Sequence, residues 1–363
     1  MSRVRDTISF GAIYAALASE YQFGARHFAY LRATGRPLSG LWELSVEDLL
    51  RLGIPQAIVE LFASVRTQRD PVREWEKLAA SGIDLITIED PDYPSLLREL
   101  AVPPAVLYVR GVLSEDVAVA IVGTRKMTQY GRRVATDLCH CLAGAGVITV
   151  SGLALGIDGQ VHRETLQAHG KTWAILPGGV DVPYPAAHRG LAREIVAAGG
   201  ALVSEFPPGS IAAKHHFPIR NRIIAGLARA TVVVEAMEQS GSLLTARSAL
   251  EANRDVFTVP GSIYSPYSAG PHHLIQMGAK LVHDPKDILT ELHLDDRIVD
   301  PRNVTPDSAE EATILDTLST NVMDVDQLSE LTRLEPAMLI STLTLMEMKG
   351  RVRNLGANQY VRT

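Results

Sequence analysis

Between about residue 80 and residue 290 of the chain, short apolar runs alternate with longer stretches of helical periodicity. The runs are Val117 to Val122, Val147 to Val150, Thr172 to Leu176, Ala201 to Ser204, Thr231 to Val234 and Val256 to Val259. Such largely continuous runs suit strands covered on both faces. The segments between them, such as Gln129 to Leu142, Ile157 to Ala168, His188 to Ala198 and Leu243 to Asn253, have the length and amphipathy of helices. This rhythm predicts an α/β fold, a parallel sheet with helices on both sides. Each run ends in a cluster of small or turn-forming residues: Gly123-Thr124-Arg125, Ser151-Gly152, Pro177-Gly178-Gly179, Glu205 to Gly209, Glu235-Ala236 and Pro260-Gly261. In a parallel sheet these turns emerge together at the carboxyl edge, where doubly wound folds bind their ligands.

The flanking regions read differently. In residues 1 to 75, apolar residues recur at helical spacing through Ile13, Leu17, Phe28, Leu31, Leu49 and Leu50, punctuated by Gly35, Pro37, Gly53 and Pro55. This predicts a small helical domain of the helix-hairpin-helix or sterile-alpha-motif sort, with Ser45 and Asp48 marking one helix start. The polar, turn-rich stretch 295 to 308 reads as a linker. Residues 309 to 363 then offer three helices, near Ala312 to Leu318, Val325 to Leu331 and Pro336 to Met348. Two short strands follow, Gly350 to Arg353 and Asn358 to Arg362, which together predict a winged helix.

Composition narrows the function classes. The 363 residues are 46% hydrophobic and 21% charged, ordinary for a globular protein with a core. The formal net charge of -6 excludes a protein that coats nucleic acid with its whole surface, so a polyanion site must be a local patch. Two such patches stand out. No carboxylate lies between Glu205 and Glu235, a tract holding Lys214, Phe217, Arg220 and Arg222, and none lies from Val117 to Thr136, which holds Arg125, Lys126, Arg132 and Arg133. Cations with an aromatic ring answer the two features of a single strand, its phosphates and its unstacked bases. The N-terminus imitates a secretory signal through Arg3, Arg5, the apolar stretch from Ile8 and Ala16-Leu17-Ala18, but Asp6, Ser9 and Gly11 interrupt it. A first helix and a cytoplasmic location are expected, and no run is long enough to span a membrane.

Several turns offer anion-binding chemistry. Ser151 to Asp158 joins a strand to a helix with glycines at both ends, and Ser240-Gly241-Ser242 precedes the next helix, so both could present amides to a phosphate, with Asp158 as a helix cap the competing reading of the first. Arg125, held by Gly123 at the same edge, reads as an anion clamp. Arg220 and Arg222 bracket Asn221 near a helix start and require an anion or an internal carboxylate, for which Glu205 and Glu235 are the candidates. Other signals fail. Gly170-Lys171-Thr172 follows a helix rather than a strand, and Gly144-Ala145-Gly146 lacks the third glycine of a dinucleotide fingerprint. Asp158 and His162, four apart, have no accompanying nucleophile or metal set, and read as a cap with a packed histidine. The adjacent pairs His215-His216 and His272-His273 point apart, and Cys139 and Cys141 diverge on a helix, so no cofactor or metal is expected.

These motifs, with Tyr184-Pro185, Ser204-Glu205, Phe217 to Gly226 and Gly278-Ala279, stand in the order and spacing of the DNA-processing protein A (DprA, or Smf) family, which the chain resembles over residues 80 to 290. The resemblance implies an extended Rossmann core, dimerisation through that core, single-stranded DNA as ligand, and loading of RecA during natural transformation. It implies that Arg125 and Lys214 clamp phosphates, that Phe217 stacks on a base, and that the Ser151-Gly152 turn cradles a phosphate. His273, Leu274 and Ile275 would belong to the dimer surface. Where some members carry a DNA-touching lysine after Tyr184-Pro185, this chain has Ala186, followed by His188-Arg189. A competing enzymatic reading rests on Pro177-Gly178-Gly179, which resembles the start of a phosphoribohydrolase motif. The residues expected to complete it are replaced by Asp181, Val182 and Pro185. A duplex-binding regulator led by the terminal winged helix is a third reading.

Overall fold

A computed structural model of the chain describes residues 10–297, 306–318, 322–349, 351–356 and 358–362. Arg3, Arg5, Asp6, Ile8 and Ser9 of the signal-like stretch, residues 298–305 of the expected linker, and Gly350 lie outside the described residues. The chain divides into two compact units, residues 1–297 and 298–363.

The first unit is built on a nine-stranded sheet, β1 (Asp84–Thr87), β2 (Val106–Gly111), β3 (Ala118–Val122), β4 (Ile148–Ser151), β5 (Thr172–Ile175), β6 (Ala201–Ser204), β7 (Ala230–Val233), β8 (Asp255–Thr258) and β9 (Lys280–Leu281). Its order is β1-β2-β6-β5-β4-β3-β7-β8-β9. The seven strands from β6 to β9 run parallel. β2 joins β6 antiparallel and carries β1 antiparallel on its outer side. All six predicted runs are strands, while β1, β2 and β9 extend the sheet beyond them. Chain order reverses at β3, which pairs with both β4 and β7. That reversal opens a crevice at the carboxyl ends of these strands.

The sheet is buried on both faces, and alternation along each strand divides the core in two. Val106 and Tyr108 of β2, Ala174 of β5 and Leu202 of β6 face one cluster. Leu107 and Val109, Trp173 and Ile175, and Ala201 and Val203 face the other. Helices of the N-terminal region, α1 (Phe10–Ser19), α2 (Ala25–Ala33), α3 (Leu38–Trp42), α4 (Val46–Arg51), α5 (Gln56–Gln68) and α6 (Pro71–Ala80), contribute to the first cluster. They therefore share a core with the sheet rather than enclosing a separate one. Ser45 caps α4 by accepting from the Asp48 amide at 3.1 Å, as its sequence predicts. The helix pattern continues with α7 (Ser95–Arg98), α8 (Gln129–Gly144), α9 (Ile157–Gln167), α10 (Arg189–Ala197), α11 (His216–Gly226), α12 (Gly241–Glu251), α13 (Ala269–Gln276) and α14 (Lys286–Glu291).

The second unit has α15 (Ala309–Leu318), α16 (Val325–Thr332) and α17 (Pro336–Met348) with strands β10 (Met323–Asp324), β11 (Val352–Gly356) and β12 (Gln359–Arg362). The strand order is β10-β12-β11, all antiparallel. Three helices and a terminal hairpin make this the winged-helix arrangement. Its core gathers Ile314, Leu318, Leu328, Leu339, Leu343 and Met346. Lys349 and Arg351 both pair with Asp307 and with the buried Glu311, so these cations are neutralised internally.

One buried polar network braces the first unit. Thr149 Oγ1 lies 2.8 Å from both Thr165 Oγ1 and Thr172 Oγ1. Thr172 donates to the Thr149 carbonyl at 3.0 Å and sits 2.7 Å from His162 Nδ1. With Thr172's hydrogen committed to that carbonyl, His162 Nδ1 is the donor and Nε2 is left bare, without a partner. Protonating Nε2 would bury an unpaired charge, and burial pushes the His162 imidazole down to about 3. The packed-histidine reading of His162 is thus the structural one. Below its ordinary value of 6.5 the unfolded chain takes up a proton that the folded chain refuses. Stability should therefore fall by about 1.4 kcal/mol per pH unit as pH drops from 6.5 towards 3 on account of this group. Urea unfolding at several pH values should show a shallower dependence in His162→Asn than in the parent; equal slopes would remove His162 as the cause.

Candidate functional site

At the crevice beside β3 the structure has a cavity of about 220 Å³. Its floor is Val122, Gly123, Asp158 and Arg220; its walls include Asn221, Ile224 and the start of α12; Arg125 and Phe217 stand among its lining residues. Helix α11 builds one wall because Phe217, Arg220, Asn221 and Ile224 recur at three- and four-residue spacing and so share a face. Helix α12 presents its N-terminus, where Ser240 accepts from the Ser242 amide at 3.4 Å and the two hydroxyls lie 2.8 Å apart. Asn221 ties the walls together by donating to the Gly241 carbonyl at 3.3 Å. The positive end of a helix, here with two hydroxyls, favours a negative ligand group.

Arg220 holds the floor. Its guanidinium is only 4% exposed, and Nη1 donates to the carbonyls of Gly152 at 2.6 Å and Ile175 at 2.7 Å. A side chain at position 152 could not coexist with it, since a Cβ there would lie 1.9 Å from Nη1. Burial lowers Arg220 to about 10, opposed by the nearby Asp158 and reinforced by Arg125. Asp158 is itself raised by burial, with Arg220 acting to lower it. The Asp158 carboxylate accepts from the amides of Gly152 at 3.2 Å and Ala154 at 3.4 Å. The turn from Ser151 to Asp158 is thus closed by its own carboxylate.

Phe217 is half-buried at the rim. The guanidinium carbons of Arg125 and Arg220 lie 5.1 and 5.9 Å from its ring centroid. Tyr184 meets it edge-on at 5.9 Å. These contacts hold the ring in place without covering it. Arg125 is exposed, and among the described residues no carboxylate lies within ion-pair distance of it. The turn carrying it requires Gly156, whose φ is 79° and whose Cβ would meet the Thr124 carbonyl at 2.3 Å. Glu235, under the same turn, accepts from Thr128 through both its amide at 3.0 Å and its hydroxyl at 2.5 Å. Its charge is therefore directed at α8 and not at the arginines.

Three comparisons with known proteins agree. A family model described as DNA recombination-mediator protein A matches residues 84–293, and one described as the DprA winged helix domain matches 299–358. The chain belongs to the DprA/Smf family. It is 44% identical over 214 residues to DNA processing protein DprA of Bacillus subtilis, covering 58% of this chain and 72% of that protein. To protein Smf of Escherichia coli it is 45% identical over 210 residues, 57% of this chain and 56% of the relative. Among solved structures, DprA of Streptococcus pneumoniae superposes with a TM-score of 0.69 at 35% identity, over 79% of this chain and 99% of that one. DNA processing protein A of Helicobacter pylori, whose structure gave insight into its single-stranded DNA binding mode, superposes with a TM-score of 0.53 at 28% identity, over 59% of this chain and 98% of that one.

Against this family background, the residues singled out in the sequence separate into two sets. Gly123, Arg125, Phe217, Arg220, Asn221, Ser240, Gly241 and Ser242 line one cavity. Lys214 is exposed in the turn leading into α11, beside it in sequence. Others are placed elsewhere. Arg222 is two residues from Arg220 and so leaves α11 on another side, where it pairs with Glu205 and donates to the Val102 carbonyl at 2.7 Å. The Ser151 hydroxyl donates 2.7 Å to the Ile121 carbonyl inside the sheet. The Ser151-Gly152 cradle is filled by Asp158, whose carboxylate takes the Gly152 and Ala154 amides, which favours the competing reading of this turn. α11 also begins at His216, four residues before Arg220, so the arginines sit in its second turn. Tyr184, Ala154, Leu244 and Thr245 complete the surroundings without having been read as such. Only the position of Tyr184 beside Pro185 within a shared motif pointed to it.

Arg220 and Arg125 should thus separate cleanly in stability. Arg220→Ala strands two buried carbonyls and leaves Asp158 uncompensated, which should cost about 3–5 kcal/mol in urea unfolding. Arg125→Ala should stay within about 0.5 kcal/mol of the parent. Equal effects would refute the division between a structural and a presented cation.

Proposed function

We propose that this protein binds single-stranded DNA along the carboxyl edge of its sheet, without chemistry, and thereby brings RecA recombinase onto the strand during natural transformation. The observation that carries the binding step is the half-open Phe217 ring beside the unpaired Arg125, facing the first turn of α12. In this reading Arg125 and Lys214 take phosphates, Phe217 stacks on a base, and Ser240, Gly241, Ser242 and Asn221 offer polar contacts within the cavity. Gly123 lines the cavity, and its lack of a side chain lets the turn pack on α9, since a Cβ there would lie 2.6 Å from Ile157. Arg220 acts from beneath. The single-stranded DNA binding mode of the Helicobacter pylori relative supports the ligand class. The RecA step and the setting in transformation rest on the resemblance to the family alone.

A phosphoribohydrolase reading has less support. At the turn after Pro177-Gly178-Gly179, both Asp181 oxygens lie 2.9 Å from the Gly209 amide, which they accept, and Val182 and Pro185 bear no acid. In the winged helix, α17 carries no lysine or arginine and Lys349 and Arg351 are paired, so among the described residues Arg333 and Arg353 are the exposed arginines a duplex reading would have to use.

A homodimer through α13 is part of the proposal. His273 is exposed and Ile275 half-buried there, near the exposed Met277 and Leu281. Leu274 is a correction to the expected surface: it is 7% exposed and packs into the chain's own core, because its position on α13 faces the sheet.

Salt-titrated binding to a short oligonucleotide tests the reading. Arg125→Ala and Lys214→Ala should each reduce the log-log salt slope by about 0.7. Phe217→Ala should lose about 1–3 kcal/mol of affinity with the slope intact. Unchanged slopes in both cation variants would reject the groove, and light scattering that finds a monomer at micromolar concentration would reject the dimer.

A further inference from the structure

The turn between α1 and α2 reaches the same sheet edge. Its Tyr21 is 48% exposed, and its hydroxyl bonds Nε2 of His215 at 2.8 Å and Nε2 of His216. His216 is buried, and its Nδ1 lies 2.8 Å from the Pro177 carbonyl, which can only accept, and 3.3 Å from the Ala213 amide; the shorter contact places the hydrogen on Nδ1, and Nε2 accepts from Tyr21. His215 then donates to the same tyrosine oxygen. Burial holds His216 below its usual range, consistent with a neutral ring.

The rings form a three-membered cluster. Phe206 stacks on His216 at 4.2 Å and 21°, while Tyr21 lies 5.4 Å from His216 at 43° and 6.4 Å from Phe206 at 22°. His216 anchors the cluster through the Pro177 carbonyl, and Tyr21 is its most exposed member. Lys214 and His215, both exposed, immediately precede His216 and Phe217. His215 and Phe217, two apart at the start of α11, leave the helix on different sides. A strand crossing this helix start past Lys214 would therefore meet Phe217 on one side and the Tyr21 cluster on the other.

A second observation is electrostatic. From Tyr21 through Trp42 the chain has no carboxylate but carries Arg26, Arg32 and Arg36, flanked by Glu20 and Glu43. Arg26 and Tyr30 are both exposed and four apart on α2, hence on one face. An acidic protein has thus kept negative charge off the segment that abuts the rim.

The geometry points to a second base-stacking subsite for single-stranded nucleic acid, formed by Tyr21 with His215 and Phe206 and continuing past Lys214 from the Phe217 cavity. The helical N-terminal layer would then be part of the binding surface as well as part of the core. This rests on the binding mode proposed above. Stacking on an aromatic face tolerates any base, so the subsite should lengthen the bound segment rather than read sequence.

Affinity should be measured with two oligonucleotides, of about 6 and about 20 nucleotides. Tyr21→Ala should weaken the longer one by about 5- to 100-fold and the shorter one by less than about 2-fold, with an unchanged salt slope. Tyr21→Phe keeps the ring and loses the histidine bonds, and should bind like the parent. Tyr21→Leu retains contact with Phe206 without a π face, and should bind like Tyr21→Ala even if the alanine variant folds poorly. Parental binding by Tyr21→Leu would overturn the subsite. Equal weakening by Tyr21→Phe and Tyr21→Ala would overturn it too, since the hydroxyl would then act only as a brace. If Phe217→Ala and Arg125→Ala weaken binding while Tyr21→Leu does not, only this inference fails; if none of them does, the binding mode itself fails.

Discussion

The guanidinium of Arg220 clamps the ends of two parallel strands. By donating to the Gly152 and Ile175 carbonyls, it satisfies acceptors just where β4 and β5 run out of ladder partners. Asp158 closes the neighbouring amides from the other side of the same turn. A buried pair of opposite charges without direct contact is costly unless hydrogen bonds surround it, and here the backbone supplies them. These bonds tie α11 to the ends of both strands, and Phe217, three residues earlier on the same helix, stands at the rim beside Arg125. The stability of the edge and the placement of its presented groups come from one network.

The same edge shows how an acidic chain accommodates a local positive site. Its cations divide by what they face. Arg220 and Arg222 are consumed by carbonyls and by Glu205. Arg125 and Lys214 are left to solvent. A polyanion would encounter a few fixed cations with rings between them rather than a broad positive field, a pattern suited to gripping a flexible strand at discrete points. The aromatic cluster around Tyr21 and the carboxylate-free α2 continue that pattern onto the helical layer.

The six apolar runs, the helices between them and the order of turns at the carboxyl edge follow from periodicity, because burial on both faces imposes the same composition wherever a parallel strand lies. Ser45 and the three terminal helices were legible for equally local reasons, caps and 3.6-residue repeats. β1 and β2 are not legible locally because β2 is placed by antiparallel pairing with β6, a long-range partner that no window of sequence contains, and β1 by pairing with β2. The helices of residues 10 to 80 read as an independent domain for the same reason: their apolar faces are visible locally, and what those faces meet is not.

For the site, local sequence determined which residue types gather: an acid-free tract, a glycine-held arginine, a lone phenylalanine and hydroxyls ahead of a helix. Tertiary structure alone decided which of them turn outward. Arg220 and Arg222 are indistinguishable in a string of letters, yet a two-residue step on a helix sends one under the cavity and the other to Glu205. Ser151 and the amides beside it likewise look available until β3 and Asp158 occupy them. Hydrogen-bond capacity is a property of the residue, whereas its being already spent depends on neighbours brought in from distant parts of the chain.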